Sequence, residues 1–285
     1  MRRGCRSGWQ IAFPLGTRAV NDRSGLRNFF DALCSFLIFD PLIYLNTVVM
    51  GTLSLLSSFF DRDGSVQHWF ARTWSRLILK TIVSPVRVVG LENLPEGPAV
   101  YAANHQSAMD IPLLYVHLPR QFRIVAKIEL FRYPFIGWHL SRSGQIPIDE
   151  KDVRSNLKSL QRGVETLKHG MPLVVFPEGG RSADGVIKPF MSGAFYMALK
   201  AGVPVVPMAI VGTIEVLKMN HYVIHPGPLE LVIGKPISTV EYRKHQMDEL
   251  SARVQGAIEE MYYARAKTKR PGEDRAIEPS GHRVI

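Results

Sequence analysis

Two side chains able to exchange protons stand five residues apart in the stretch Asn104-His105-Gln106-Ser107-Ala108-Met109-Asp110. An imidazole is a general base near neutral pH. A carboxylate holding one of its ring nitrogens fixes the tautomer and leaves the other nitrogen free to take a proton. The residues before the stretch, Gly97 to Ala103, open on a Gly-Pro breaker and continue as a short apolar run, which reads as a buried strand. Those after it, Ser107 to Leu118, carry apolar side chains at helical spacing and stop at Pro119. His105 therefore falls at the C-terminal end of a strand, where α/β sheets present their active groups, and Asp110 falls in the first turn of a helix within its reach. The spacing alone also allows a plainer role, with His105 capping the helix and Asp110 answering its dipole.

A second stretch, Leu173-Val174-Val175-Phe176-Pro177-Glu178-Gly179-Gly180-Arg181-Ser182, is again an apolar strand that runs into a glycine-rich turn. Glycines let a backbone approach an anion closely, and an arginine can hold a phosphate through two parallel hydrogen bonds. Standing alone, this turn would equally suit a solvated Glu-Arg pair.

Together the Asn-His-x4-Asp and Phe-Pro-Glu-Gly-Gly-Arg-Ser blocks resemble the signatures of the glycerolipid acyltransferases, most closely the bacterial 1-acylglycerol-3-phosphate acyltransferases. Lys127-Ile128-Glu129-Leu130 with Pro134 and Gly137, and Val203-Pro204-Val205-Val206-Pro207, resemble two further blocks of that family. All four occur in family order over roughly residues 85 to 240. Two positions depart from the pattern. Ile146-Pro147-Ile148-Asp149-Glu150 carries Glu150 where the family has arginine, and Gly180 stands where threonine is common. The first departure removes one candidate phosphate ligand and leaves more of that work to Lys127 and Arg181.

The resemblance implies an α/β fold, a mixed sheet flanked by helices, with an N-terminal membrane-associated helical segment. It assigns His105 as the base and Asp110 as its partner. Lys127, Arg181 and Glu178 become the phosphate-binding set, with Glu178 orienting Arg181 or touching the glycerol. Asn104, Ser107, Gly179 and Gly180 become the supporting loops, and backbone amides beside Pro177 to Gly180 the donors for an oxyanion. No metal or resident cofactor is implied. The co-substrate is an acyl thioester of acyl carrier protein or coenzyme A, the acceptor a lysophospholipid, and the location the cytoplasmic face of the inner membrane. Other lysophospholipids or glycerol 3-phosphate would use the same chemistry, and a membrane-bound lipid-binding protein with a dead site is the alternative of another class.

Composition fits but does not choose. The chain of 285 residues holds 35 Lys and Arg against 25 Asp and Glu, a formal charge of +10 that favours acidic partners, whether nucleic acid, anionic lipid or phosphorylated substrates; the resemblance selects the lipid partners and excludes nucleic acid. Cys5 and Cys34 are the only cysteines, too few for a disulfide framework or a metal site, which fits a reducing compartment. No Gly-x4-Gly-Lys-Ser/Thr loop and no Gly-x-Ser-x-Gly elbow is present, which argues against a P-loop nucleotide enzyme and a serine hydrolase.

The elements that must position these residues parse into four segments. Residues 1–28 read as a basic mobile leader without the features of a cleaved secretory signal, and residues 267–285 as a disordered tail. Residues 29–84 read as a membrane-associated helical segment. Leu42 to Phe60 carries no charge and is close to the roughly 20 residues of a bilayer span. Basic residues on both flanks favour a hairpin bent at Asp40-Pro41 over a single crossing, and a buried core helix is the third option. From Ser65 to Ile82 a stripe of Arg72, Arg76 and Lys80 beside Trp69, Phe70, Trp74, Leu77 and Ile78 suits a lipid interface. Residues 85–266 read as the catalytic domain. Its expected strands are Val86–Val89, Phe122–Ala126, Gly144–Asp149, Leu173–Phe176, Val203–Val211 and Leu229–Ile233, and its expected helices 155–169, 192–200 and 247–266. The aromatic run Phe131, Tyr133, Phe135, Ile136, Trp138 and Leu140 could line an acyl tunnel, although packed core is the default for such residues.

Overall fold

The structure, a computed structural model, describes residues 25–149 and 151–271. The leader apart from residues 25–28, the end of the tail and Glu150 lie outside the described residues.

The described residues begin with a helix of 33 residues, Gly25–Ser57, long and apolar enough to cross a membrane by length and composition. It comprises α1 (Gly25–Cys34), a π turn over Ser35–Phe39, and α2 (Asp40–Ser57). The expected reversal at Asp40-Pro41 is absent. Pro41 occupies the first turn of α2, and the π turn before it absorbs the missing helical register, with the Asp40 N–H donating to the Ser35 carbonyl. The chain turns back later, through residues 58–64, and α3 (Ser65–Thr81) returns along α2. The Asn46 amide donates to the Trp74 carbonyl and the Trp74 indole to Thr47 Oγ1. The turn is fixed to the sheet by Arg123, whose guanidinium donates to the Asp63 carbonyl at 2.6 Å. Gly64 beside it has φ +74°, and a Cβ there would lie 2.7 Å from Arg123 Nη2.

The remaining elements are β1 (Val86–Val89), β2 (Val100–Ala103), α4 (Asp110–His117), β3 (Arg123–Lys127), α5 (Ile136–Arg142) and β4 (Ile146–Ile148), followed by α6 (Val153–Lys168), β5 (Leu173–Val175), α7 (Gly193–Ala201), β6 (Val205–Val211), α8 (Thr213–Val216), β7 (Leu229–Ile233) and α9 (Met247–Tyr263). The seven strands form one sheet in the order β1-β7-β6-β2-β5-β3-β4, parallel throughout except for β6 against β7. The central strands β2, β5 and β6 are buried along their whole length, so they read as continuous apolar runs rather than alternating ones. Successive residues of β2 still divide between two cores. Tyr101 and Ala103 pack toward α3 and α4, and Val100 and Ala102 toward α6, α7 and α9.

This topology gathers the site. Register pairs Val100 with Leu173 and Arg123 with Leu173, so β3, β5 and β2 lie side by side in parallel and end at the same edge. Lys127 ends β3, His105 follows β2, and Glu178 to Arg181 follow β5. Three stretches far apart in sequence thus meet at one strand terminus.

Two further expectations need correction. The aromatic run 131–140 is not core, since Tyr133 is 60 % exposed and Trp138 50 %. It forms a short 3-10 turn and α5 against α2, where Gly137 packs on the Phe131 carbonyl and leaves the large rings pointing outward or into a cavity. The α3 basic stripe is not wholly available to a lipid interface either. Arg72 donates to the Pro119 and Val116 carbonyls and so caps the C-terminal end of α4.

Candidate active site

The His105 loop is built before any substrate arrives. Asn104, fully buried, donates through Nδ2 to the Ile210 carbonyl and accepts the Ile210 N–H at Oδ1, so its side chain extends the β2–β6 pairing by one rung. α4 starts at Asp110 rather than at Ser107, because Ser107 to Met109 form a turn that uses Asp110 as its hub. Asp110 Oδ2 accepts the Gln106 N–H at 2.8 Å, the Ser107 N–H at 3.0 Å and the His105 ring at 2.7 Å. With Oδ2 accepting backbone donors, the hydrogen of the third contact sits on His105 Nδ1, and Nε2 keeps its lone pair. Ser107 Oγ donates to the Leu217 carbonyl, and Gln106, also buried, donates to the Gly185 carbonyl.

The His105 ring lies nearly parallel to Phe176, centroids 4.1 Å apart and planes 23° from each other, which fixes its plane as Asp110 fixes its rotation. Its side chain retains 18 % exposure. The ring is therefore held from two sides and open at one.

Glu178 is not seen to orient Arg181, one of the two roles the resemblance implies for it. Its carboxylate accepts the His105 N–H at Oε1 and the Lys188 N–H at Oε2, joining the two loops, and Arg181 is not among its partners. Burial raises its pKa above the usual carboxylate range, an effect the two backbone donors oppose. Gly179 has φ +70° and donates to the Phe176 carbonyl, closing a turn that only glycine enters without strain. Gly180 and Arg181 make no intrachain N–H bond among the described residues, and the Ser182 N–H donates to the His105 carbonyl. A Cβ on Gly180 would meet Lys127 Nζ at 3.7 Å, an ordinary contact, so the position tolerates a side chain and brings the Lys127 ammonium to the rim of the turn. The Arg181 guanidinium has no hydrogen-bond or carboxylate partner among the described residues, while its carbonyl accepts from Lys188 Nζ. His105, Asp110, Lys127 and Arg181 are brought to one place. Phe176, Gln106 and Lys188 complete it, and the sequence reading missed all three roles. Gln106 lies inside the first motif, whereas nothing local marked Lys188.

Two cavities converge here. One, of about 320 Å³, is lined by Thr47, Met50, Gly51 and Ser54 of α2, by α3, and by Leu130, Phe135, Ile136 and Leu140. It is almost wholly apolar and runs from the N-terminal helices to His105 and Arg181. The other, of about 700 Å³, also touches His105 and Arg181 but continues under the opposite side of the sheet edge. There it meets Lys127, the Glu178 turn, the start of α7, and Asn156 and Leu160 of α6.

A mixed sheet that sets a His-Asp couple beside an arginine without a partner among the described residues, where an apolar and a more polar cavity meet, has the architecture of an acyltransferase. The chain belongs to the acyltransferase family, whose pattern matches residues 85–211. It is 30 % identical over 228 residues to a 1-acyl-sn-glycerol-3-phosphate acyltransferase of Pseudomonas aeruginosa, covering 78 % of this chain and 88 % of that one. It is 38 % identical over 173 residues to a chloroplastic enzyme of the same name from Arabidopsis thaliana, covering 60 % of this chain and 48 % of the relative. The chain spans about half the length of such chloroplast relatives. In structure it resembles a 1-acyl-sn-glycerophosphate acyltransferase from Thermotoga maritima, with a TM-score of 0.67 and 27 % identity over 83 % of this chain and 96 % of that one.

Proposed function

We propose that this protein transfers an acyl chain from a thioester to the free hydroxyl of 1-acylglycerol 3-phosphate, yielding phosphatidic acid. The observation that carries the reading is the 2.7 Å His105–Asp110 contact, set where the two cavities meet beside Arg181. His105 Nε2 takes the proton of the acceptor hydroxyl as that oxygen attacks the thioester carbonyl, and Asp110 stabilises the imidazolium. As the tetrahedral intermediate collapses, the C–S bond breaks and the departing thiolate takes the proton back from Nε2. The Gly180 and Arg181 amides, without an N–H bond among the described residues, suit the transient oxyanion. Arg181, with Lys127 at the rim, suits the acceptor phosphate. Acyl carrier protein or coenzyme A serves as donor. The Gly25–Ser57 helix sits in the bilayer that supplies the acceptor, with the catalytic domain on the cytoplasmic side.

The test is transfer of labelled acyl chains by purified protein, with both donors, to 1-acylglycerol 3-phosphate, glycerol 3-phosphate and a neutral-headgroup lysolipid in parallel. Product with the first acceptor alone is expected. Preference for another acceptor moves the substrate, and no product with any pair, from folded lipid-bound protein, defeats the reading. His105→Ala should abolish transfer and leave membrane association intact.

A further inference from the structure

Helix α6 exposes Arg154, Lys158 and Arg162 at four-residue spacing, which stacks them in one row about 12 Å long. None has a carboxylate partner among the described residues, although Lys168 on the same helix pairs with Glu165. Like charges at this spacing cost a few tenths of a kcal/mol each, so the row does not serve the helix. Beside it Val153 and Leu157, 73 % and 54 % exposed, leave an apolar pair in water at consecutive turns.

The position of the pair on the helix matters. At about 100° per residue, Val153 and Leu157 fall between the cationic row and the side bearing Asn156 and Leu160. Those last two residues line the larger cavity that ends at His105. One helix therefore offers, in order around its circumference, cations, an apolar shelf and the wall of a passage to the catalytic base. α6 also packs on the sheet face opposite to α3 and α4, so it lies away from the side on which the Gly25–Ser57 helix is carried.

We propose that α6 is the docking surface for a small acidic protein that carries the acyl group as a thioester on a flexible arm, the chemistry of an acyl carrier protein. Its acids meet Arg154, Lys158 and Arg162, its apolar contact meets Val153 and Leu157, and the arm enters the cavity past Asn156 and Leu160. Three cations and an apolar pair spread over three turns match a helix-sized acidic surface rather than a single nucleotide. The inference rests on the acyl-transfer reading and adds the partner of that site.

The experiment compares the full chain with an Arg154→Glu/Lys158→Glu variant, both in the same lipid vesicles. Glutamate suits the first turns of a helix, so folding is preserved, and circular dichroism and the melting temperature check this. Binding of fluorescently labelled, hexadecanoyl-loaded acyl carrier protein is read by anisotropy, and turnover with the same acyl chain is read on acyl carrier protein and on coenzyme A. Steering between opposite charges predicts a dissociation constant raised about tenfold or more, and a flattened dependence on ionic strength. The ratio of kcat/KM with the carrier protein to kcat/KM with coenzyme A should fall by a similar factor. Unchanged binding overturns the proposal, as does an equal loss with both donors, which would assign the row to the shared arm. Absence of transfer with either donor by the unmodified chain would defeat the acyl-transfer reading, and the anisotropy comparison would still decide whether α6 docks the carrier.

Discussion

At the scale of single residues, the site depends on one oxygen. Asp110 Oδ2 gathers two backbone N–H groups and the His105 ring, while Oδ1 is buried without a hydrogen-bond partner. In Asp110→Asn the amide oxygen can keep the place of Oδ2 and hold the loop, so the fold should survive. What is lost is the negative charge that stabilises the imidazolium, and kcat is expected to fall on the order of 10³–10⁴-fold with little change in melting temperature. A variant that retains full turnover would remove Asp110 from the mechanism. Glu178→Gln should behave in the opposite way. One of its two backbone donors, at His105 or Lys188, would face an amide NH₂, leaving a buried N–H unsatisfied at a cost of about 1–3 kcal/mol. A lowered melting temperature is expected before any specific loss of phosphate affinity, and a raised acceptor KM at unchanged stability would return Glu178 to the phosphate site. Arg181→Ala should chiefly raise the KM for the acceptor, and an unchanged constant would discount its role. The pairing of His105 with Asp110 was legible because both lie in one short stretch, five residues apart at the end of a strand. The link from Glu178 to the His105 and Lys188 amides was not, since it depends on the register of β5 beside β2 and on a loop returning ten residues later.

At the scale of elements, hydrophobic period located β1 and β7 at their observed bounds, and Gly202 ended α7 in the left-handed conformation expected of a glycine stop. The π turn at 35–39 escaped because a proline after an aspartate signals a chain reversal as readily as a register shift. Helix α3 hides a further feature that composition did not announce. His68 is 7 % exposed, both ring nitrogens lack partners, and the ring packs edge-on against Phe122 at 5.0 Å and beside Tyr115. Burial, with Arg72 and Arg123 nearby, lowers its pKa to about 4. His139, bonded to Ser54 of α2 at 2.7 Å, is lowered to about 4 as well, mainly by burial. Both are neutral in the fold. The unfolded chain takes up their protons first as pH drops below about 6.5, so their share of stability is present above that value and is lost toward pH 4. Denaturant unfolding at pH 7.5 and pH 5 should differ by about 2 kcal/mol for each histidine. His68→Gln, which cannot titrate, should make the dependence shallower, and an identical slope in that variant would clear His68 of the effect.

At the scale of the whole molecule, the N-terminal helices do more than present an apolar surface. The smaller cavity has one wall from α2 and α3 and the other from the catalytic domain, so the space for an aliphatic chain exists only when both are in place. The exposed faces of α1, the π turn and α2 carry Phe29, Phe36, Leu37, Leu45, Leu53 and Leu56 outward, while Met50 and Gly51 turn to the cavity. This division was not legible from the charge-free run, which shows apolarity on every side and no preferred face. On the proposed activity, the length of chain accepted would then depend on α2. Met50→Trp should shorten the cavity without touching His105. If the larger ring displaces two methylenes of a long acyl chain, the lost burial amounts to about 1.6 kcal/mol, a factor of roughly fifteen in kcat/KM. Hexadecanoyl transfer should fall by that order while decanoyl transfer stays near its original rate, measured on one donor with one acceptor. A parallel fall for both chains would mean that the substitution disturbs the site rather than the cavity. An unaltered length profile would mean that the acyl chain occupies the larger cavity instead, and the passage beneath α6 would then have to hold both the chain and the arm that delivers it.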